Sequence, residues 1–168
     1  MKKLGNILLA VALMVAMVLP VFAAPSPQAD PQAAKDNATV MVKDAEVKVL
    51  PKDVHKEVVK VVNNKEHLRN LGVNEKAKLI AAFDLKVEIP AGQTSVSVPI
   101  KVNKAKLGDF AIVLHRRTDG QWEKVGEGFL GEDMTVIATF TSFSPVAVLV
   151  VDAAQADAGV KAPKTGEF

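Results

Sequence analysis

Apolar residues recur at every second position along much of residues 39–152 and predict a β-rich domain there. Residues 83–89 and 96–102 both place apolar side chains on one face and mostly polar side chains on the other. This alternation is typical of strands that bury one face of a sheet. Because Pro99 cannot donate a hydrogen bond to a neighbouring strand, we expect the second stretch at a sheet edge or at a bulge.

The second half of this region contains further strand signals. The Asp119-Gly120 step separates the runs DFAIVLHRR and QWEKV and predicts a hairpin between two strands. The run PVAVLVV is apolar on both faces, so it is expected inside a sheet or between layers. In the run TVIATFT, alternation predicts three inward-facing side chains: Val136, Ala138 and Phe140.

One early segment changes its period and predicts a helix. Alternation over residues 40–49 gives way near Pro51 to apolar residues spaced three and four apart. We expect this helix to end near Asn63-Asn64, with a further turn that ends at Gly72. Valine is a weak helix former, so the helix should depend on packing against a sheet. The whole pattern predicts a mainly β fold, an antiparallel β-sandwich of about six or seven strands with one short N-terminal helix.

The two ends of the chain have a different character from the domain. Residues 1–23 contain a basic start, an apolar run and a small-residue site, the three parts of a bacterial signal peptide, and cleavage is expected between Ala23 and Ala24. Residues 24–38 and 153–168 have little to bury, so they predict a disordered leader and a flexible tail. Residues 39–152 are therefore expected to fold alone as one domain.

Charge and cysteine content exclude several functional classes. The chain has 21 basic and 19 acidic side chains, and removal of Lys2 and Lys3 with the signal leaves 19 of each. A mature chain without net charge gives no reason to expect a nucleic-acid partner. The absence of cysteine excludes disulfides, a thiol nucleophile and a thiolate metal site.

The sequence predicts no catalytic, cofactor-binding or metal site. His55 and His67 lie twelve residues apart without a second ligand at helical spacing, so both are expected at the solvated surface. Ser142 and Ser144 lack the G-x-S-x-G pattern of many serine hydrolases, which indicates turn hydroxyls that bond the backbone. The carboxylates available for an acid and base pair are expected to be solvated in loops: Glu123, Glu127, Glu132 and Asp133.

Four residues form the candidate ligand surface. His115 ends an apolar strand beside Arg116 and Arg117, an arrangement that could form a small anion-binding edge. Strand ends that face water often carry the same residue types. Trp122 could stack on a sugar ring, although core packing is the favoured interpretation for a large aromatic residue in a chain with few of them.

Three short motifs resemble a domain that recurs in exported surface proteins of Gram-positive bacteria. They are Gly108-Asp109, the D-G-x-W hairpin of residues 119–122 and the Thr-Ser-Phe-Ser-Pro corner of residues 141–145. The resemblance covers roughly Leu50 to Val151. It implies a location and an architecture for this chain, and it implies no reaction.

The tail carries a second resemblance. Pro163, Lys164, Thr165 and Gly166 are similar to the Leu-Pro-x-Thr-Gly sorting signal, which sortase cuts between threonine and glycine to join the threonine to the cell wall. Ala162 replaces the usual leucine, and no hydrophobic segment with a basic end follows in this sequence. We expect a sorting signal whose downstream part is missing from this chain. The resemblance implies sortase and the cell wall as partners, and a membrane contact only through the missing segment.

Two functional classes follow from these observations. The first is a noncatalytic secreted or cell-surface module that serves as a spacer, scaffold or adhesion domain, with a surface polysaccharide or protein as a further partner. The alternative is a secreted carbohydrate-binding accessory domain or hydrolase that uses Trp122, His115 and nearby carboxylates. A groove lined by Trp122 and two converging carboxylates would favour the alternative.

Overall fold

The computed structural model of the chain describes residues 26–156. The expected cleavage site at Ala23 and Ala24 and the sorting-like motif at 163–166 lie outside the described residues. The described elements, in chain order, are α1 Pro31–Asp36, β1 Ala38–Val40, β2 Glu46–Lys48, α2 Lys52–Asn63, α3 Lys65–Asn70, β3 Lys78–Lys86, β4 Val96–Val102, β5 Phe110–Arg116, β6 Trp122–Phe129, β7 Thr135–Phe140, β8 Pro145–Val151 and α4 Ala153–Ala156.

Two antiparallel sheets form the body of the protein. The first has five strands in the order β2-β3-β8-β5-β6, and the second has three strands in the order β1-β4-β7. One core fills the space between the sheets. A second core, called the helix-side core below, lies between the five-stranded sheet and helices α2 and α3. The prediction of a mainly β antiparallel sandwich is confirmed. The described residues contain eight strands and four short helices, more than the sequence predicted.

The five-stranded sheet is buried on both faces because a layer packs on each side of it. In β8, Leu149 belongs to the helix-side core and Val148 belongs to the core between the sheets. This strand lies between β3 and β5, which explains why the run PVAVLVV has no polar face. The predicted mid-sheet position of this run is confirmed.

The predicted helix is present and ends as expected. Helix α2 begins after Pro51 and buries Val58 and Val62. The chain leaves the helical conformation at Asn64, between α2 and α3. The side-chain oxygen of Asn64 accepts the backbone N–H of His67 at 3.0 Å and so caps the start of α3. Gly72 follows α3 with φ 66°, a left-handed conformation that glycine adopts without strain.

The segment predicted as one extended stretch over residues 40–49 serves two sheets. Strand β1 pairs with β4 in the three-stranded sheet, whereas β2 pairs with β3 in the five-stranded sheet. Asp44, at φ 63°, lies where the chain passes from one sheet to the other. Alternation alone could not separate these two strands, because both bury every second residue.

The N-terminal leader was expected to be disordered, and this is wrong for residues 30–38. Asp30 caps α1 by accepting the N–H of Gln32 at 2.9 Å, and Ala34 is buried in the helix-side core. Asn37 is 3% exposed and donates its side-chain N–H to the carbonyl of Ile80 at 2.9 Å, where β3 has a bulge. The burial of Ala34, the bond from Asn37 to β3 and hydrogen bonds from Asn103 to the carbonyls of Asp36 and Asn37 hold a segment whose composition is typical of disorder.

The boundary at the other end of the domain also needs correction. The predicted flexible tail begins with helix α4, in which Ala156 is buried. Ala153 donates its backbone N–H to the Asp109 carboxylate at 3.2 Å, which joins this helix to the entry of β5. The described fold therefore runs beyond both ends of the 39–152 domain that the sequence predicted.

Pro99 lies on a central strand, so the prediction of a sheet edge is wrong. Strand β4 lies between β1 and β7. Met41 donates its N–H to the Pro99 carbonyl at 2.9 Å, on the β1 side. In a strand, the nitrogen and the carbonyl of one residue point to the same neighbour. The missing N–H of Pro99 therefore faces Met41, one residue past the end of β1 at Val40, and the pairing of β4 with β7 on its other side is unaffected.

The short edge strand β2 carries an exposed ion pair. Glu46 and Lys48 contact each other along the strand. The hydrogen bond from Lys48, together with its charge, lowers the pKa of Glu46, and the same contact raises the pKa of Lys48. A short edge strand with charged side chains resists pairing with another sheet.

Candidate functional site

Two of the four residues of the candidate ligand surface predicted from the sequence, His115 and Trp122, are buried. His115 is fully buried, and Trp122 is 8% exposed within the helix-side core. The favoured interpretation of Trp122 as a core residue agrees with this burial. Because a sugar ring needs an open aromatic face, stacking on Trp122 is not supported.

The two arginines of that surface already have acidic partners. Arg116 contacts Glu57 of α2 at 3.2 Å, so it joins the end of β5 to the helix layer. Arg117 contacts Asp119 within the hairpin loop at 3.0 Å. The predicted anion-binding edge is therefore occupied by carboxylates of the protein itself.

The structure instead brings His115 into a polar row with a serine and a glutamate. His115 Nδ1 lies 3.1 Å from Oε1 of Glu123, which is its partner across the β5–β6 hairpin. His115 Nε2 lies 3.0 Å from the hydroxyl oxygen of Ser144, just before β8. This Ser144–His115–Glu123 row has the order of groups that serine hydrolases use.

Sequence reasoning missed this row, and Glu123 is not a loop carboxylate as expected. Ser144 lies 29 residues from His115, and no motif joins the two positions. They meet because β8 pairs with β5, which places the corner before β8 beside the end of β5. The sequence does contain two apolar runs that could pair with each other. However, the alternation of apolar residues does not specify which strands become neighbours.

The hydrogen-bond roles in the row differ from those of a nucleophile and its base. The Ser144 hydroxyl also meets the backbone carbonyl of Arg116, so its proton has an acceptor besides His115 Nε2, whereas the Glu123 carboxylate can only accept from Nδ1. In a hydrolase the serine donates to Nε2, which then removes the proton. Here Ser144 is held by the backbone, as the sequence interpretation of turn hydroxyls predicted for this residue.

Burial also distinguishes the histidine of the row from a catalytic base. The imidazole of His115 is fully buried and packs at right angles to Phe140, with the ring centres 5.5 Å apart. A substrate carbonyl has to approach the serine and the histidine together. The row joins β5, β6 and the corner before β8, and it satisfies a polar ring inside an apolar core.

The other two histidines differ from the solvated residues that the sequence predicted. His55 is 3% exposed on the buried face of α2, and His67 is half-buried on α3. Within residues 26–156, no group of three His, Asp or Glu side chains is placed to hold a metal ion. The histidines are therefore part of the packing of the helix layer.

A groove of about 470 Å³ lies at the other end of β5, between α3 and the five-stranded sheet. Its volume is within the range of small-molecule sites. It contains Glu127 but neither Trp122 nor a pair of converging carboxylates, so it is not the groove that would favour a hydrolase. The residues that line it are Arg69, Gly72, Val73, Asn74, Phe110, Ile112, Lys124, Glu127, Val151 and Ala156.

Two further observations complete the description of this chain. Over residues 26–156, every helix is too short or too polar to cross a membrane. Comparison with protein-family models, with curated proteins and with solved structures finds no match for the chain.

Proposed function

We propose that this chain is an exported, noncatalytic cell-surface module that is displayed as a head. The three-part signal pattern of residues 1–23 supports export, and the resemblance to Gram-positive surface domains supports display at a surface. The sorting-like motif at 163–166 supports sortase and the cell wall as partners. The arrangement of the described residues supports the choice of a head over a spacer.

One observation carries this choice, because a single loop holds both ends of the described fold. Asn103 donates its N–H to the carbonyl of Asn37, just before β1, at 2.8 Å. Asp109 accepts the N–H of Ala153, just after β8, at 3.2 Å. The chain therefore enters and leaves the sandwich at the same end, beside the 103–109 loop.

A spacer has to hold its two ends apart, whereas a head has a free end that faces away from its attachment. The β5–β6 hairpin loop and the corner at 141–144 lie at the opposite end of the sheets. Strand β5 has seven residues, which corresponds to roughly 23 Å along the strand. This geometry favours an adhesion or scaffold domain whose far end faces its partner.

The noncatalytic part of the proposal rests on the polar row. A hydrolase would need a substrate to reach Ser144 and His115 together, and the imidazole of His115 is fully buried. A carbohydrate-binding domain remains the alternative, but the aromatic residue expected to carry it, Trp122, is buried.

A display experiment tests both export and orientation. The chain is extended after Phe168 by an apolar segment of about 20 residues and a basic end, and it is expressed in a sortase-positive Gram-positive host. We expect a mature N-terminus at Ala24 and a wall-linked fragment that ends at Thr165. Thr165→Ala should abolish the linkage, because it changes the residue whose carbonyl the enzyme attacks.

Single cysteines then report orientation, since the chain has no cysteine of its own. Gln93 lies in an exposed loop at the far end, opposite the 103–109 loop, and Gln32 lies on the exposed face of α1 at the end beside that loop. Each is replaced by cysteine in a separate variant. On intact cells a bulky maleimide should label position 93 faster than position 32, and the difference should vanish after wall digestion. Equal rates on cells would contradict a head, and an exported chain without Thr165-linked wall fragments would contradict sorting.

A further inference from the structure

The 470 Å³ groove beside α3 has an apolar floor built from four parts of the fold. Phe110 and Ile112 come from β5, Val151 comes from β8, and Val73 and Ala156 close the sides. On β6, Trp122 is buried, whereas Lys124, Glu127 and Phe129 are exposed. The ring of Phe129 is 53% exposed and packs edge-on against Phe110 at 4.9 Å. The floor therefore suits an aliphatic or aromatic body.

The rims of the groove carry charge of both signs, with a surplus of positive charge. Arg69 lies on the α3 rim and Lys124 lies on the β6 rim. The ammonium of Lys124 extends toward Gly72 and lies 3.8 Å from the position that a Cβ atom on Gly72 would occupy. Glu127 also lines the groove and contacts Lys124 at 2.8 Å. Lys124 is thus paired within the lining, whereas the partner of Arg69 is Glu75, a residue outside the lining that approaches only Nε, at 3.8 Å. The rest of the guanidinium faces a ligand with one negative charge.

Arg69 is the residue placed to bind the charged group. Its contacts with described residues, the Lys65 carbonyl at 3.4 Å and the Glu75 carboxylate at 3.8 Å, both involve Nε. The terminal nitrogens of the guanidinium make no hydrogen bond to any other described residue. A guanidinium with these nitrogens available binds a carboxylate through two parallel hydrogen bonds.

We infer that the groove binds an amphipathic monocarboxylate, with its apolar body on Phe110 and Ile112 and its carboxylate at Arg69. A neutral sugar fits less well, because most of the floor is aliphatic and the open polar group is a cation. This inference rests on one part of the proposed function, namely that the chain is noncatalytic, because the inference names a ligand and no reaction. Binding at this site would add a small-molecule ligand to the cell-surface partners proposed above.

Titration with octanoate tests the site. The protein used is residues 24–168, which include every described residue. It lacks the apolar segment of residues 1–23, which would itself bind octanoate. Each methylene buried on the floor should strengthen binding about fourfold, so octanoate should bind about fifteenfold more tightly than hexanoate. The backbone amide signals of Gly72, Val73 and Phe110 should shift in the nuclear magnetic resonance spectrum.

A matched pair of variants tests the role of the guanidinium. Arg69→Ala should weaken octanoate binding about tenfold and leave binding of 1-octanol unchanged. Lys65→Ala removes a positive charge from the same helix outside the groove, so it should change neither affinity. Both positions are exposed, and both variants should keep the fold.

Each other outcome would overturn part of the inference. Equal binding of octanoate and octanol by the unaltered protein would overturn the carboxylate assignment. Absence of binding, or shifts confined to other parts of the sheet, would overturn the groove as a site. Those results would leave the export, wall-linkage and orientation experiments unaffected, so failure of the ligand and failure of the surface module are separate.

Discussion

Replacement of Phe140 by alanine is expected to lower the free energy of unfolding by about 3 to 5 kcal/mol. The ring is fully buried in the core between the two sheets. Its centre lies 5.5 Å from that of the His115 ring, at right angles to it, and 6.2 Å from that of Phe143. Its loss would leave a cavity beside the polar row, where neighbouring strands can close the space only in part.

Thr139→Ala is the matched control for this prediction. Thr139 precedes Phe140 on β7 and faces solvent, where its hydroxyl lies 3.2 Å from that of Ser97. An exposed hydrogen bond contributes little, so the expected loss is within about 1 kcal/mol. Denaturant unfolding of both variants measures the difference. Comparable losses would show that the direction in which β7 side chains face is wrong.

Gly126→Ala is the second change with a large expected effect. A Cβ at this position would stand 2.3 Å from the Ile137 carbonyl oxygen and 2.8 Å from the Ala138 Cα. Both atoms belong to the backbone of β7, so β6 and β7 would have to move apart. We expect a loss of at least about 1 to 3 kcal/mol, the usual cost of overpacking.

Gly128→Ala provides a control on the same strand. A Cβ at Gly128 would meet no atom within 4 Å. The substitution should be neutral or should stabilise the protein by up to about 1 kcal/mol, because alanine restricts the unfolded chain more than glycine does. If thermal unfolding shows equal losses for both variants, strand propensity rather than the approach of the two sheets determines the effect of Gly126.

Several strands could be predicted from the sequence because their patterns of apolar residues are regular over six or more positions. The inward direction of Phe140, the hairpin at Asp119-Gly120 and the two-sided burial of β8 all follow from side-chain alternation and turn chemistry. The α2 helix followed from its change of period near Pro51. In each case one local pattern contains the information that the fold uses.

Features that depend on strand neighbours could not be predicted in the same way. Pro99 appeared suited to an edge, but the shortness of β1 makes a central position possible. Order in residues 30–38 depends on the bond between Asn37 and the bulge carbonyl of Ile80. No pattern within the N-terminal segment shows that this distant partner exists.

The candidate site was harder to predict than the fold for the same reason. The sequence indicated that Trp122 packs in the core, and the structure agrees. The row of Ser144, His115 and Glu123 is assembled by the pairing of β5 with both β6 and β8. The groove draws on α3, β5, β6, β8 and α4 together. Residue type alone contained no signal for either arrangement.

The proton position on His115 is the most direct test of the noncatalytic proposal. Long-range proton–nitrogen correlation spectra near pH 7 show whether each ring nitrogen carries a proton. Single replacements of His55 and His67 assign the three histidines. A proton on both ring nitrogens is the expected result, because the Glu123 carboxylate can only accept from Nδ1, and a Ser144 hydroxyl that donates to the Arg116 carbonyl can only accept from Nε2. A ring with its proton on Nδ1 alone, whose bare Nε2 accepts the Ser144 proton, would contradict the proposal, since it is the arrangement that activates a serine nucleophile.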